Sequence, residues 1–250
     1  MEVIAIVNRK GGVGKTTTAL ALAAGLAKRG KRVLAIDLDS QGNFSQTAQT
    51  ENDVVGIYDV LRRKESIMDA IQIRPDSFDL ICADTGLSEA DITIIELGKE
   101  LRLKEALEDL KTEYDYVILD TPPAAGILVI NALTAADSVI ITAQADTYSA
   151  AGLMRVYEGI QLIRKYSNHE LTIGGILLTR YSPRTNFSRF VADEFEKLAE
   201  KMETKVFKTM IRENIAIKES QGAKQSIFDY DAHCNGAQDY DSFINELLEG

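Results

Sequence analysis

The run Lys10-Gly11-Gly12-Val13-Gly14-Lys15-Thr16-Thr17 holds the densest chemistry in the chain. A phosphate-binding loop needs small residues, so that successive backbone N–H groups can turn towards one anion. It also needs a helix N-terminus for partial positive charge, a lysine for terminal phosphate oxygens and a hydroxyl for a divalent cation. Gly11, Gly12 and Gly14 meet the first need, and Lys15 and Thr16 meet the last two. The strict GxxxxGK[ST] pattern asks for glycine at position 9, where this chain has Arg9, and Lys10 is an additional cation. The loop is therefore a variant.

Three acidic residues complete the chemistry. Asp37 and Asp39, in Asp37-Leu38-Asp39-Ser40-Gln41-Gly42-Asn43, follow an apolar run. Their two-residue spacing places both side chains on one side, facing the same crevice as the loop. The alternative is that either aspartate caps a following helix. Asp120 ends the apolar run Tyr116 to Leu119, where phosphate-transferring folds place a carboxylate near magnesium, usually through water. Loop, Asp37 and Asp120 together make a hard-cation and phosphate site with oxygen ligands.

The elements that must position these groups follow from periodicity. Short apolar runs predict strands at 2–7, 32–37, 78–82, 116–120, 138–142 and 173–178, with a seventh near 205–207. Apolar spacing of three and four predicts helices at 15–28, 127–136, 150–165, 188–201 and 243–248. The alternation predicts an α/β fold: a three-layer, doubly wound, mostly parallel sheet forming one domain over residues 1–250. Residues 47–76 are the least legible part; two helices are expected at 56–63 and 66–71, in an insertion or lid.

Composition narrows the function. The 250 residues carry 28 basic and 38 acidic side chains, a net charge of −10, which argues against passive coating of nucleic acid. The two cysteines, Cys82 and Cys234, are far apart and support neither a thiolate cluster nor a disulfide framework. His169 and His233 are the only histidines, which leaves little room for histidine catalysis. No apolar run approaches the length of a membrane span, and a cytoplasmic location is expected.

The three motifs resemble the deviant Walker A, A-prime and Walker B boxes of the ParA/MinD family of dimeric ATPases, specifically its Soj-like ParA branch of chromosome and plasmid partition proteins. The likeness continues through Asn131 to Asp137, Gly175 to Thr179, Arg184-Thr185-Asn186 and Gly236-Ala237-Gln238. It implies a P-loop NTPase fold of the deviant Walker A (SIMIBI) class, with ATP and Mg2+ as cofactors. Lys10 would be the signature lysine reaching the partner's ATP across a nucleotide-sandwich homodimer. The segment Lys10 to Thr17 would hold the phosphates, with Lys15 stabilising charge and Thr16 ligating magnesium. Asp39 would orient or deprotonate the attacking water, and Asp37 and Asp120 would hold magnesium through waters. Arg212 and Asn214 match an adenine-contacting segment usually written P-R-N, with Ile211 here in place of proline. Ser40 likewise replaces the proline of D-P-Q-G, which puts the rigidity of that loop in question.

Local features separate the family's activities. Residues 225–250 hold six acids and no Lys or Arg, so a basic membrane-binding terminal helix is not expected. Residues 180–224 hold ten basic and seven acidic side chains, net +3 in a chain otherwise at −13. Resemblance to partition ATPases makes Arg184, Arg189, Lys205, Lys208, Lys218 and Lys224, with Arg212, candidates for non-specific contacts to double-stranded DNA. The bland alternative is that part of this run merely solvates a helix. No helix-turn-helix is expected ahead of the first strand. The expectation is a cytoplasmic, nucleoid-associated ATPase that dimerises on ATP, binds DNA non-specifically and is stimulated by a ParB-like centromere-binding partner. The other reading is a related ATPase that positions a protein cargo without DNA binding.

Overall fold

Six short apolar runs become the strands of one sheet: β1 (Glu2–Val7), β2 (Val33–Asp37), β3 (Asp79–Ile81), β4 (Tyr116–Asp120), β5 (Ser138–Gln144) and β6 (Thr172–Thr179). The computed structural model describes residues 1–250 apart from 51–53, 76, 147–148, 183–185 and 250. Strand order is β3-β2-β4-β1-β5-β6, and every pairing is parallel. β1 therefore lies inside the sheet, with β4 on one side and β5 on the other, and its loop opens where the order reverses. Parallel strands buried on both faces need near-continuous apolar sequence. β1 meets that need with five buried residues of six.

The alternation of side chains across the sheet divides the core. Val3, Ala5 and Val7 pack into one apolar cluster, and Ile4 and Ile6 into the other. The second cluster is covered by α1 (Lys15–Lys28) and α12 (Asn235–Glu249), with α10 (Ile215–Gly222) and α11 (Ile227–Tyr230) beside them. The first is covered by α3 (Ile57–Leu61), α4 (Ile67–Ala70), α6 (Arg102–Glu108), α7 (Ile127–Ala135), α8 (Ser149–Tyr166) and α9 (Asn186–Lys201). α2 (Asn43–Thr47) and α5 (Ala90–Thr93) are short links.

Three expectations are corrected. The described part of residues 47–76 is core rather than lid, since Ile57, Tyr58, Val60, Leu61 and Ile67 are buried in the first cluster. Residues 205–207 form no seventh strand; they contribute one isolated bridge, Val206 to Ile176. The terminal helix begins at Asn235, eight residues before the expected start. Its acids are largely occupied: Asp241 pairs with Arg29, Asp239 with Arg212, and Glu246 accepts the Lys208 and Thr209 N–H groups at 2.7 and 2.9 Å. No described helix is long and apolar enough to cross a membrane.

Candidate active site

The loop between β1 and α1 is shaped by its carbonyls. Gln144 Nε2 donates to Gly12 O at 2.7 Å, Thr179 Oγ1 to Val13 O at 2.9 Å, and Lys15 Nζ to Lys10 O at 3.2 Å. Asn8 opens the turn, accepting Lys10 N at 2.9 Å and donating to Thr142 O at 2.5 Å. Gly12 and Gly14 take φ of 74° and 83°, a left-handed backbone that favours glycine. Gly14 is also the residue ahead of α1, so loop and helix N-terminus converge on one point. Lys15 is buried, and burial lowers its pKa against the opposing pull of Asp120 and then Asp39.

The carboxylates stand at the adjacent ends of β2 and β4, where Asp37 and Asp120 are register partners. Asp37 is fully buried, and its oxygens are committed. Oδ1 accepts Asp39 N at 3.0 Å, while Oδ2 accepts Ser45 N at 2.9 Å and Ser45 Oγ at 2.7 Å. Burial pushes its pKa up to about 6, against those hydrogen bonds. Asp37 therefore lies beside Asp120 and also ties down the first turn of α2. Asp39 lines the crevice, and its Oδ1 accepts Gln41 N at 3.0 Å. That turn, closed by Gly42 N on Asp39 O at 2.8 Å, gives the loop its shape without a proline at position 40.

Asp120 differs from its neighbour. It is fully buried, and neither of its oxygens has a partner of hydrogen-bond geometry. Burial and then the Asp37 charge raise its pKa well above the ordinary carboxylate value, although Thr16 and Lys15 pull it down from nearby. A buried carboxylate without a partner costs several kcal/mol, roughly, unless a cation or proton compensates it. No group of three or more His, Cys, Asp or Glu side chains among the described residues is arranged to grip a metal alone. Magnesium is commonly held by one or two carboxylates plus waters and substrate phosphates, so the donor set of Thr16, Asp37 and Asp120 fits that ion.

A cleft of about 630 Å³ runs from the loop past Asp39 to the segment after β6, lined there by Ile211 to Asn214, Ile217 and Lys218. Ile211 uses its N–H, which proline lacks, to donate to Leu178 O at 2.8 Å. Asn214 caps α10 through Ala216 N at 2.8 Å, and the Arg212 guanidinium is held by Asp239. Lys218 and Lys224 also line this cleft, so these two DNA candidates belong to the rim of the same crevice. Arg189, Lys205 and Lys208 are exposed. Arg184 lies outside the described residues. Lys10 is half exposed, and its Nζ sits 2.5 Å from Asp146 Oδ2. Cys82 is buried just past β3, where burial pushes its thiol pKa up. Asn8, Gln144 and Gln221, which pin the loop and α1, carried no signal in sequence because an isolated amide has no spacing to recognise.

A parallel sheet with a glycine loop ahead of α1 and carboxylates at two neighbouring strand ends defines a P-loop nucleotide-binding protein. The family described as "AAA domain" matches residues 1–173. The sporulation initiation inhibitor protein Soj of Bacillus subtilis is 40% identical over 98% of this chain and 98% of its own length. The chromosome-partitioning ATPase Soj of Treponema pallidum is 34% identical over 99% and 97%. The chain belongs to the ParA/MinD family of P-loop ATPases, on its Soj-like ParA branch. Among solved structures, cobyrinic acid a,c-diamide synthase from Mycobacterium smegmatis with a bound ATP analogue and magnesium superposes with a TM-score of 0.86. It has 30% identity and covers 100% of this chain and 95% of that one. One core therefore serves differently named proteins, and activity has to be argued from side chains.

Proposed function

We propose that this chain is a magnesium-dependent ATPase of the DNA-partition type, acting in the cytoplasm at the nucleoid. ATP closes two copies into a dimer, the dimer binds duplex DNA without sequence preference, and a ParB-like centromere-binding partner stimulates hydrolysis. The observation that carries the reading is the partnerless Asp120 carboxylate, in register with Asp37 beneath a pinned glycine loop. That combination suits a magnesium-bound triphosphate better than any neutral ligand. The chromosome-partitioning name of the Treponema relative and the ATP analogue and magnesium of the Mycobacterium structure support it.

The proposed roles are those that the family resemblance implies, and placement supports them. Loop N–H groups and Lys15 bind the β and γ phosphates, and the partly desolvated ammonium interacts with them more strongly than it would in water. Thr16 would ligate magnesium and Asp37 and Asp120 would hold it through waters; when bound, the ion would neutralise charge on the phosphate oxygens. Asp39, a buried residue in the lining of the crevice, orients or deprotonates the attacking water. Lys10 reaches the partner copy's phosphates; its exposed pair with Asp146 is worth roughly 0–1 kcal/mol and is readily exchanged. Arg212 and Asn214 form the wall for the base. Arg184, Arg189, Lys205, Lys208, Lys218 and Lys224 contribute to the DNA contacts, and pairing of two copies doubles their number.

The test is turnover of ATP with magnesium or EDTA, and with DNA plus the cognate partner. Slow magnesium-dependent hydrolysis that DNA and partner stimulate several-fold, and that Asp39→Ala abolishes without loss of ATP binding, is expected. Stimulation without any DNA binding would favour positioning of a protein cargo. Absence of magnesium-dependent ATP binding would refute the reading.

A further inference from the structure

Asp239 accepts four hydrogen bonds from a single residue, Arg212. Its Oδ2 accepts Arg212 N and Nε, each at 2.9 Å, while its Oδ1 accepts Nη2 at 2.6 Å and Nε at 3.1 Å. The carboxylate side chain is 11% exposed and the arginine 38%. A two-pronged guanidinium–carboxylate pair fixes the plane as well as the place of the arginine. The backbone bond fixes the main chain of the same residue.

The next residue in α12 holds the opposite wall. Tyr240 is buried, and its hydroxyl lies 3.1 Å from Thr18 Oγ1 in α1, the helix that begins at the phosphate loop. Gln221 Nε2 in α10 donates to Thr17 Oγ1 at 3.0 Å. Two consecutive residues of α12 therefore set the spacing between α1 and the segment Ile211 to Asn214. That segment lines the same cleft as the phosphate loop.

We propose that Asp239 is a positioning residue for selection of the nucleotide base, an inference that rests on the ATP reading above. By holding Arg212 from behind, it keeps the side chains and backbone groups of residues 211–214 in one arrangement, against which one base fits better than another. It does not touch the phosphates, which Lys15 and the glycine loop hold independently. Loss of Asp239 frees the arginine and lets this wall relax, so discrimination between bases falls while the grip on phosphate persists.

The test compares Asp239→Ala, Asp239→Asn and Arg212→Ala with the unaltered chain, by calorimetric titration with ATP, GTP and inorganic tripolyphosphate in magnesium buffer. The unaltered chain should prefer ATP to GTP. In Asp239→Ala the ATP affinity should drop about tenfold, the scale of a lost charge-assisted pair, with tripolyphosphate affinity within about twofold of the original. Asp239→Asn should fall between, and adding Arg212→Ala to Asp239→Ala should cost little more. An unchanged ATP-to-GTP ratio would overturn the proposal, as would equal loss for ATP, GTP and tripolyphosphate. If Asp239→Ala does not fold, the ratio in Asp239→Asn decides by the same criterion. No ATP binding by the unaltered chain would instead overturn the ATP reading itself.

Discussion

Stability of the ligand-free protein should increase as pH falls from 8 to about 5.5. The folded-state pKa of Asp37, about 6, lies above its unfolded value near 3.8, because burial penalises the charge. A raised carboxylate pKa means that the folded chain binds the proton more tightly. Its cost is therefore absent below pH 3.8 and fully present above pH 6. With a shift of about two pKa units at about 1.4 kcal/mol each, the whole cost is about 3 kcal/mol. Between pH 8 and pH 5.5 about 1 kcal/mol of it is recovered, which for a chain of this size raises Tm by about 2–4 °C. Asp120, raised well above its ordinary value, acts in the same direction. Asp115, Asp229 and Glu246 have lowered pKa values, so they give back stability only as pH falls further, through their own folded values. Thermal melts in EDTA across this range, for the unaltered chain and for Asp120→Asn with Asp37→Asn, would measure the slope. A Tm that falls steadily from pH 8, or the same rise in the double variant, would refute the reasoning.

Asp120→Asn alone should raise the ligand-free Tm at pH 8, since it removes a buried charge that lacks a hydrogen-bond partner, yet ATP turnover should drop by about a hundredfold or more; a lower Tm with intact turnover would contradict the site assignment. Asp39→Ala should retain ATP binding and lose about 10²- to 10⁴-fold in hydrolysis, as expected of a residue that handles the attacking water, measured by phosphate release. Gly175→Ala should destabilise by about 1–3 kcal/mol in urea titration, because a Cβ there would stand 2.6 Å from the buried Phe207 ring at a φ of +157°; a neutral result would mean that β6 has room to shift.

The sequence exposed most of this because the chemistry sits on strongly periodic elements. β1, α1 and β4 were legible to the residue, as five-residue apolar runs and an alanine-rich helix leave no competing pattern. The glycine loop and the three acids stand out in sequence for the same reason: each lies next to such an element. α10, α6 and the first two turns of α12 were missed because polar residues face inward there. Asp239 is the clearest case: a period-counting reader sees an exposed acid, whereas the fold turns it onto Arg212. The two helices expected within residues 47–76 are present as α3 and α4, but at about one turn each they are too short for the sequence to show that they pack into the core rather than form a lid. Ser40 and Ile211, departures from the family pattern, are absorbed by an aspartate-capped turn and by an N–H that proline could not supply.

The most direct test of the proposed switch is a salt titration of duplex DNA binding by Asp39→Ala, with ATP or ADP, and with molecular mass measured in parallel. The expected result is a dimer with ATP only, DNA affinity that falls steeply with salt as released counterions require, and loss of both in Lys10→Ala. Equal DNA binding with ADP, or an ATP-independent dimer, would contradict it.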